Sequence, residues 1–274
     1  MNVIKSYLAF FITLILVFSC KPVAVRKYRV VRDISLAKIQ VKKVLTIGIR
    51  DDFPPFTNRN KYSDLLEGFD IELARMVCRE MKVMADFKVI DWSKKEELLK
   101  RGEIDCIWGA YPKSQGLKAD LKLTAPYIKT CYVVGVLKES PIHSLDDLDN
   151  KTLAVQTGSA TSSALEEIRR EKLRAIRDSY HKYFKFCIKE LDSGNVDGVI
   201  EDVLVINYLE NNEKKQYRYL DDVLSLVNYC VAFRKNDASL AKRVQSILND
   251  LEYRDMTAPL STKWFGSNIL IIGK

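Results

Sequence analysis

The residues in this 274-residue chain that could do chemistry gather at the ends of short apolar runs. Arg50, Asp51, Asp52 and Phe53 follow the run Val44 to Ile49, and Asp91 and Trp92 follow Ala85 to Ile90. Ala110 and Tyr111 follow Ile104 to Gly109, and Glu201 and Asp202 follow Val196 to Ile200. Charges and aromatics just past the carboxyl end of a buried strand stand where open α/β sheets bind small molecules. The same residues also suit ordinary strand ends, with Arg50 paired to Asp51 or Asp52 at the surface and the aromatics in the core. A different chemistry is offered by Thr157-Gly158-Ser159-Ala160-Thr161-Ser162-Ser163, set between the strand-like Thr152 to Gln156 and a helix from Ala164. The first N–H groups of a helix are unpaired and its dipole is positive there, so such a turn can hold an anion. Simple capping by Ser162 or Ser163 explains the composition equally well.

Other chemistries find little support. No Gly-Lys-Ser/Thr follows the turn, so it is no phosphate-binding loop of the P-loop kind. The two histidines, His143 and His181, stand in no nucleophile–His–acid pattern, and with Glu201 and Asp202 they are all that an enzymatic reading has to work with. Six cysteines (Cys20, Cys78, Cys106, Cys131, Cys187 and Cys230) show neither a CxxC nor a Cys/His cluster, so no metal and no cofactor is expected.

These groups need elements to position them. Gly68-Phe69-Asp70 opens a helical pattern running to Met81, and Lys94 to Arg101 forms a short helix closed by Gly102. Strands alternating with short helices predict βαβ units and a parallel sheet. Two longer extended segments interrupt the alternation, one from Leu123 to Lys138 and one from Tyr229 to Lys235. Between them lie a short helix at 141–148, the strand at 152–156, helices at 164–170 and 182–191, and the strand at 196–200. A further amphipathic helix covers Ala238 to Leu251, and the ordered chain closes on Lys263 to Gly266.

The amino terminus reads separately. Lys5, an apolar run from Tyr7 to Phe18, Ser19 and Cys20 form a signal segment over residues 1–19, too short for a membrane span. Its ending resembles a bacterial lipoprotein signal, with Cys20 the lipidated residue. Residues 1–43 hold nine basic groups and one acid; taking these from 44 and 36 leaves 35 of each sign for the rest. The net charge of +8 thus marks a basic tether at 20–43, suited to anionic headgroups, and not a nucleic-acid-binding domain.

Taken in order, the motifs resemble the family 3 extracellular solute-binding proteins, the amino-acid receptors of bacterial ABC importers. The matching pieces are FPPF after the first strand, EGFDIELARMV, LLKRGEIDCIWGA, LTAPY, SLDDLDNKTLAVQTGSA, LDSGNVDGVIED, YCVAFRK and KWFG. The resemblance implies a two-lobed α/β fold of the type II periplasmic-binding-protein kind, closing over a solute by a hinge. Lobe 1 would be 44–128 with 231–274 returning to it, lobe 2 would be 129–230, and two crossing strands at 129–132 and 228–230 would join them. The implied protein is an exported monomer, lipid-anchored in the periplasm or at the cell surface, with permease subunits as partners and no enzymatic activity. A sensor or orphan module, or a dehydratase on the same scaffold, are the alternatives.

By the same resemblance Phe53 packs on the solute, Trp92 walls the opposite side, Ala110 lines the cleft, Ser159, Ala160 and Thr161 donate to a carboxylate, and Asp202 receives an ammonium. One anchor is absent. The family places an arginine nine residues before the proline of its PY motif, and that position is Leu117; a serine or threonine of the same loop is Pro112. Leucine cannot replace a bidentate arginine. Arg50 is a candidate substitute, the alternative being its surface pair with Asp51 or Asp52, and Lys113 or Lys118 are further candidates.

Overall fold

The computed structural model describes residues 33–171, 176–212 and 216–274. The expected signal segment and Cys20 lie outside the described residues.

Helix α1 (Ser35–Lys42) leads into strands β1 (Val44–Ile49), β2 (Asp52–Phe53), β3 (Thr57–Arg59) and β4 (Leu66–Glu67). Then come α2 (Phe69–Met81), β5 (Met84–Val89), a 3-10 turn at Trp92–Lys94, α3 (Lys95–Arg101), β6 (Cys106–Pro112), α4 (Lys113–Lys118), β7 (Lys122–Leu123) and β8 (Ile128–Leu137). A second 3-10 turn at Leu145–Leu148 precedes β9 (Thr152–Gln156), α5 (Ala160–Glu171), β10 (Arg177–His181), α6 (Phe184–Asp192), β11 (Gly198–Asp202) and α7 (Val203–Asn212). The chain ends with β12 (Tyr217–Tyr219), β13 (Ser225–Phe233), α8 (Ala238–Tyr253) and α9 (Ala258–Phe265).

One sheet runs β10-β9-β11-β8-β13-β6-β1-β5, with β12 on β8 and β7 on β13, and β2, β3 and β4 form a small separate sheet. Pairing is parallel within β5-β1-β6 and within β10-β9-β11, as the alternation of strands and helices predicts. The two long strands depart from it: β8 pairs antiparallel with β11 and β13, and β13 antiparallel with β6. They are the extended segments of the sequence, and they carry the chain out and back between two parallel three-strand blocks. Residues 129–132 of β8 face 225–228 of β13 in register, and Ile128 faces Tyr229.

Local chemistry explains the elements that hold the site. β1 is β-branched and apolar, as a strand hydrogen-bonded on both edges requires, and Leu45, Ile47 and Ile49 are fully buried. α2 starts at Gly68, whose φ of +129° lets its backbone pass Phe56, where an added Cβ would lie 2.3 Å from a carbonyl oxygen. Residues 35–42, part of the sequence's basic tether, form α1. Its Ile39 is buried, Ser35 Oγ lies 3.0 Å from Ser239 Oγ on α8, and its lysines face outward.

Candidate functional site

Arg50 follows the last residue of β1, and its side chain turns inward, leaving 6% of the residue exposed. The expected alternative, a surface pair with Asp51, is taken by Arg59, whose Nε lies 2.9 Å from Asp51 Oδ2. The Arg50 guanidinium carbon sits 3.2 Å from the centre of the Phe53 ring and 4.8 Å from that of Trp92, a cation between two aromatic faces. Its Nη1 donates to Gln156 Oε1, the last side chain of β9, at 2.5 Å, while Nε has no partner among the described residues. Burial lowers the Arg50 pKa, opposed first by the charge of Glu201 and then by that of Asp52.

The aromatic walls are fixed from behind. Phe53 stacks on Phe56 at 5.7 Å and meets the edge of Phe184 on α6 at 5.7 Å. Trp92 opens a 3-10 turn capped by Asp91, whose Oδ1 accepts from the Ser93 N–H, and packs in a small apolar cluster with Ile90, Leu99, Ile104 and Tyr111. Buried Lys95 donates from Nζ to the Trp92 carbonyl at 3.2 Å and to the Gly158 carbonyl at 2.9 Å. Ala110 has φ +49°, and its N–H donates to Asp70 Oδ2 at 2.7 Å, which also accepts the Tyr127 hydroxyl at 3.0 Å. Burial pushes the Asp70 pKa up to about 7.

The turn after β9 is tightly bonded. α5 begins at Ala160, four residues earlier than the sequence suggests, so Ser159 is the capping residue, not Ser162 or Ser163. Ser159 Oγ accepts from the Ser162 N–H at 3.2 Å, donates to the Gln156 carbonyl at 2.7 Å, and lies 2.7 Å from Thr161 Oγ1.

Glu201 and Asp202 end β11, fully buried, with different surroundings. Glu201 Oε1 accepts the Asp202 N–H at 2.9 Å, and burial pushes its pKa up to about 8 against the pull of Arg50. Asp202 accepts from Thr130 Oγ1 at 2.9 Å, the Leu204 N–H at 2.7 Å and the Tyr229 hydroxyl at 2.6 Å. These bonds oppose burial, which raises its pKa to about 6. Asp202 therefore ties β8, β11 and β13 together.

One cavity of ≈ 10 Å³ is lined by Arg50, Phe53, Trp92, Ala110, Pro112, Tyr132, Ser159, Ala160, Thr161, Glu201 and Tyr229. Of the expected solute-binding residues it brings together Arg50, Phe53, Trp92, Ala110, Ser159, Ala160 and Thr161; Asp202, Lys113 and Lys118 do not line it. Sequence reasoning missed Gln156, Lys95, Tyr132 and Tyr229 as parts of the site. The first ends a strand that points at the Gly-Ser turn, and the two tyrosines sit in the crossing segments, so position was the available signal. Leu117 is 64% exposed on α4, and Lys113 and Lys118 are exposed as well. A wider groove of ≈ 450 Å³ runs past Asp51, Asn60, Lys185 and Tyr217, without the buried cation and facing aromatics of the smaller one. His143 is exposed, and His181 Nε2 lies 2.8 Å from Ser179 Oγ; neither lines the cavity. Among the described residues no group of His, Cys, Asp and Glu suits a metal, Cys78, Cys106, Cys131, Cys187 and Cys230 are unpaired thiols, and no helix is long and apolar enough to cross a membrane.

Two parallel α/β blocks, joined by antiparallel crossing strands around a lined cleft, define a two-lobed binding protein of the type II periplasmic kind. The chain belongs to the bacterial extracellular solute-binding proteins, family 3, whose model matches residues 45–267. The arginine-binding extracellular protein ArtP of Bacillus subtilis is 26% identical over 226 residues, covering 82% of this chain and 87% of that protein. The L-cystine-binding protein TcyJ of Escherichia coli K12 is 24% identical over 237 residues, covering 85% and 87%. Among solved structures, Tv2483 bound to L-arginine superposes with a TM-score of 0.83 at 30% identity, covering 89% of this chain and 99% of the other. A Streptococcus pneumoniae ABC uptake transporter substrate-binding protein with bound histidine gives 0.82 at 28% identity, covering 87% and 98%.

Proposed function

We propose that this chain captures an amino acid or close relative in the cleft beside Arg50, Phe53 and Trp92 and hands it to the permease subunits of an ABC importer. The observation that carries this reading is the convergence of a buried cation, two aromatic faces and the first turn of α5 on one cavity. The relatives named for arginine, cystine and histidine support the substrate class.

In this reading Arg50 takes the solute's carboxylate, a charge-assisted contact stronger than its present bond to a neutral amide. Phe53, Trp92 and Ala110 shape the walls, and Ser159, Ala160 and Thr161 present the helix turn. Asp202 acts on the solute's ammonium through the wall it holds together with Tyr229. Residues 44–128 and 231–274 form one lobe and 129–230 the other, hinged on β8 and β13. The chain is a monomer, exported behind residues 1–19, anchored through Cys20 and held to the membrane by its basic segment. Glu201 and Asp202 serve binding, not turnover.

The position of Leu117 favours a second reading, a sensor or orphan module. It lies on the exposed face of α4, so that side chain supplies no carboxylate anchor. A thermal-shift screen over amino acids, opines and dicarboxylates separates the two. A true solute at a hundred times its Kd should add about 2.7 kcal/mol of stability. Silence across the whole panel from a folded protein would overturn the transport reading.

A further inference from the structure

We propose that Arg50 is an intramolecular occupant of this cleft: its guanidinium fills the slot between Phe53 and Trp92, its bond to Gln156 holds the two sides together, and a solute enters by displacing it. The inference rests on the solute-binding reading and adds a resident competitor to it.

The slot is built for a planar cation. Two aromatic faces flank the guanidinium, at 3.2 and 4.8 Å from its central carbon, and the carboxyl of Glu201 lines the same cavity. A solute bearing a guanidinium, imidazolium or ammonium head would seek this arrangement, and the chain already supplies one. With Arg50 seated, the remaining cavity of ≈ 10 Å³ has room for the centre of about one water molecule. An amino acid therefore cannot lie beside Arg50 in this arrangement; either Arg50 or the cleft walls have to move.

The occupant also acts as a strap. Arg50 extends from the end of β1 and Gln156 from the end of β9, in the two separate parallel blocks of the sheet. Lys95 reaches across in the same sense to the Gly158 carbonyl, and the Lys185 N–H reaches Asp52 Oδ2 at 3.3 Å. A solute carboxylate can release the strap, because a bidentate ion pair offers Arg50 more than the neutral Gln156 carbonyl does. A cationic head has nothing comparable to offer and must compete for the slot. Solutes that carry a carboxylate are admitted, and cations without one are refused.

Small-angle scattering and calorimetry on the full chain test this with Arg50→Gly and Gln156→Ala. Without added solute, the wild type should have the compact radius of the present structure, and both variants should be larger. Methylguanidinium, which has no carboxylate to pair with Arg50, should return Arg50→Gly to the wild-type radius and should bind that variant at least about tenfold more tightly than it binds the wild type. A wild type that contracts on adding L-arginine would overturn the proposal, as would an Arg50→Gly variant that stays compact and ignores methylguanidinium. If Arg50→Gly does not fold, Gln156→Ala decides alone, an unchanged radius counting against. Failure of the solute-binding reading looks different: wild type and variants would all be silent to the amino-acid panel while the scattering result stood.

Discussion

Glu201 shows how one buried carboxyl shapes the cleft. Its pKa of about 8, raised by burial, means that the folded protein keeps a proton which the unfolded chain releases near the ordinary carboxylate value. Over that window the folded state binds more protons, so the stability Glu201 contributes is complete below about pH 4.5 and declines as pH rises through about 8. Asp70, raised to about 7, and Asp202, raised to about 6, act in the same direction. Urea unfolding of Glu201→Gln should show a weaker fall in stability from pH 5 to 8.5 than the wild type, the variant gaining on the wild type as pH rises. Equal slopes would mean that Glu201 is ionised throughout. Leu117 makes the opposite case. At 64% exposure on α4, Leu117→Arg should change stability by no more than about 0.5 kcal/mol and should create no new carboxylate site, as thermal shift with glutamate would report. At this scale the sequence revealed residue types and their places at strand ends, which sufficed to single out Phe53, Trp92 and the Ser159 turn, and all three line one cavity. It could not reveal that the Arg50 side chain turns inward onto Phe53 or that Tyr229 spends its hydroxyl on Asp202, because a rotamer depends on neighbours distant in the chain.

The elements that face each other across the cleft are close enough for a single methyl to matter. Gly158 has φ +71°, and a Cβ there would lie 2.9 Å from Ser93 Cα in the turn that begins at Trp92. Gly158→Ala should lose about 1 kcal/mol or more from the left-handed backbone alone. The contact with Ser93 adds a second effect: scattering should show a larger radius, and solute affinity should fall further than stability does. A variant destabilised but equally compact would place the cost in the turn and leave the approach of the two elements unaffected. Elements with a strong local signal were legible. The helix at Phe69–Met81 has its glycine start and apolar stripe, β1 has its β-branched run, and β9 has its short apolar run before the Gly-Ser turn. Helix α7 was not, since Val203-Leu204-Val205-Ile206 is an unbroken apolar run that shows no helical period. Strand β10, Arg177-Asp178-Ser179-Tyr180-His181, was missed for the reverse reason: it is polar at the sheet edge and gains its place only by pairing with β9.

Across the whole molecule, the crossing strands β8 and β13 join the two parallel blocks of the sheet, and Asp202 is where they are tied. Its carboxylate takes three donors, from Thr130 on β8, Tyr229 on β13 and the Leu204 N–H at the start of α7. An acid facing a solute's ammonium would keep an oxygen toward the cavity, but Asp202 has no surface there and spends both oxygens on the protein. Removing it strands a buried threonine, a buried tyrosine and an amide together. Asp202→Ala should therefore cost about 3 kcal/mol or more in urea unfolding without any solute. Asp202→Asn should cost less, because an amide oxygen can still accept from Tyr229 and the amide nitrogen can donate to Thr130 Oγ1, while the Leu204 N–H loses its acceptor. If the main role of Asp202 is to join the strands, solute affinity across the series should fall in step with stability. If it anchors the ammonium directly, Asp202→Asn should lose affinity by about tenfold or more while its unfolding midpoint stays near that of the wild type. Measuring both quantities on both variants separates the hinge from the anchor, because only a hinge makes the solute-free protein weaker.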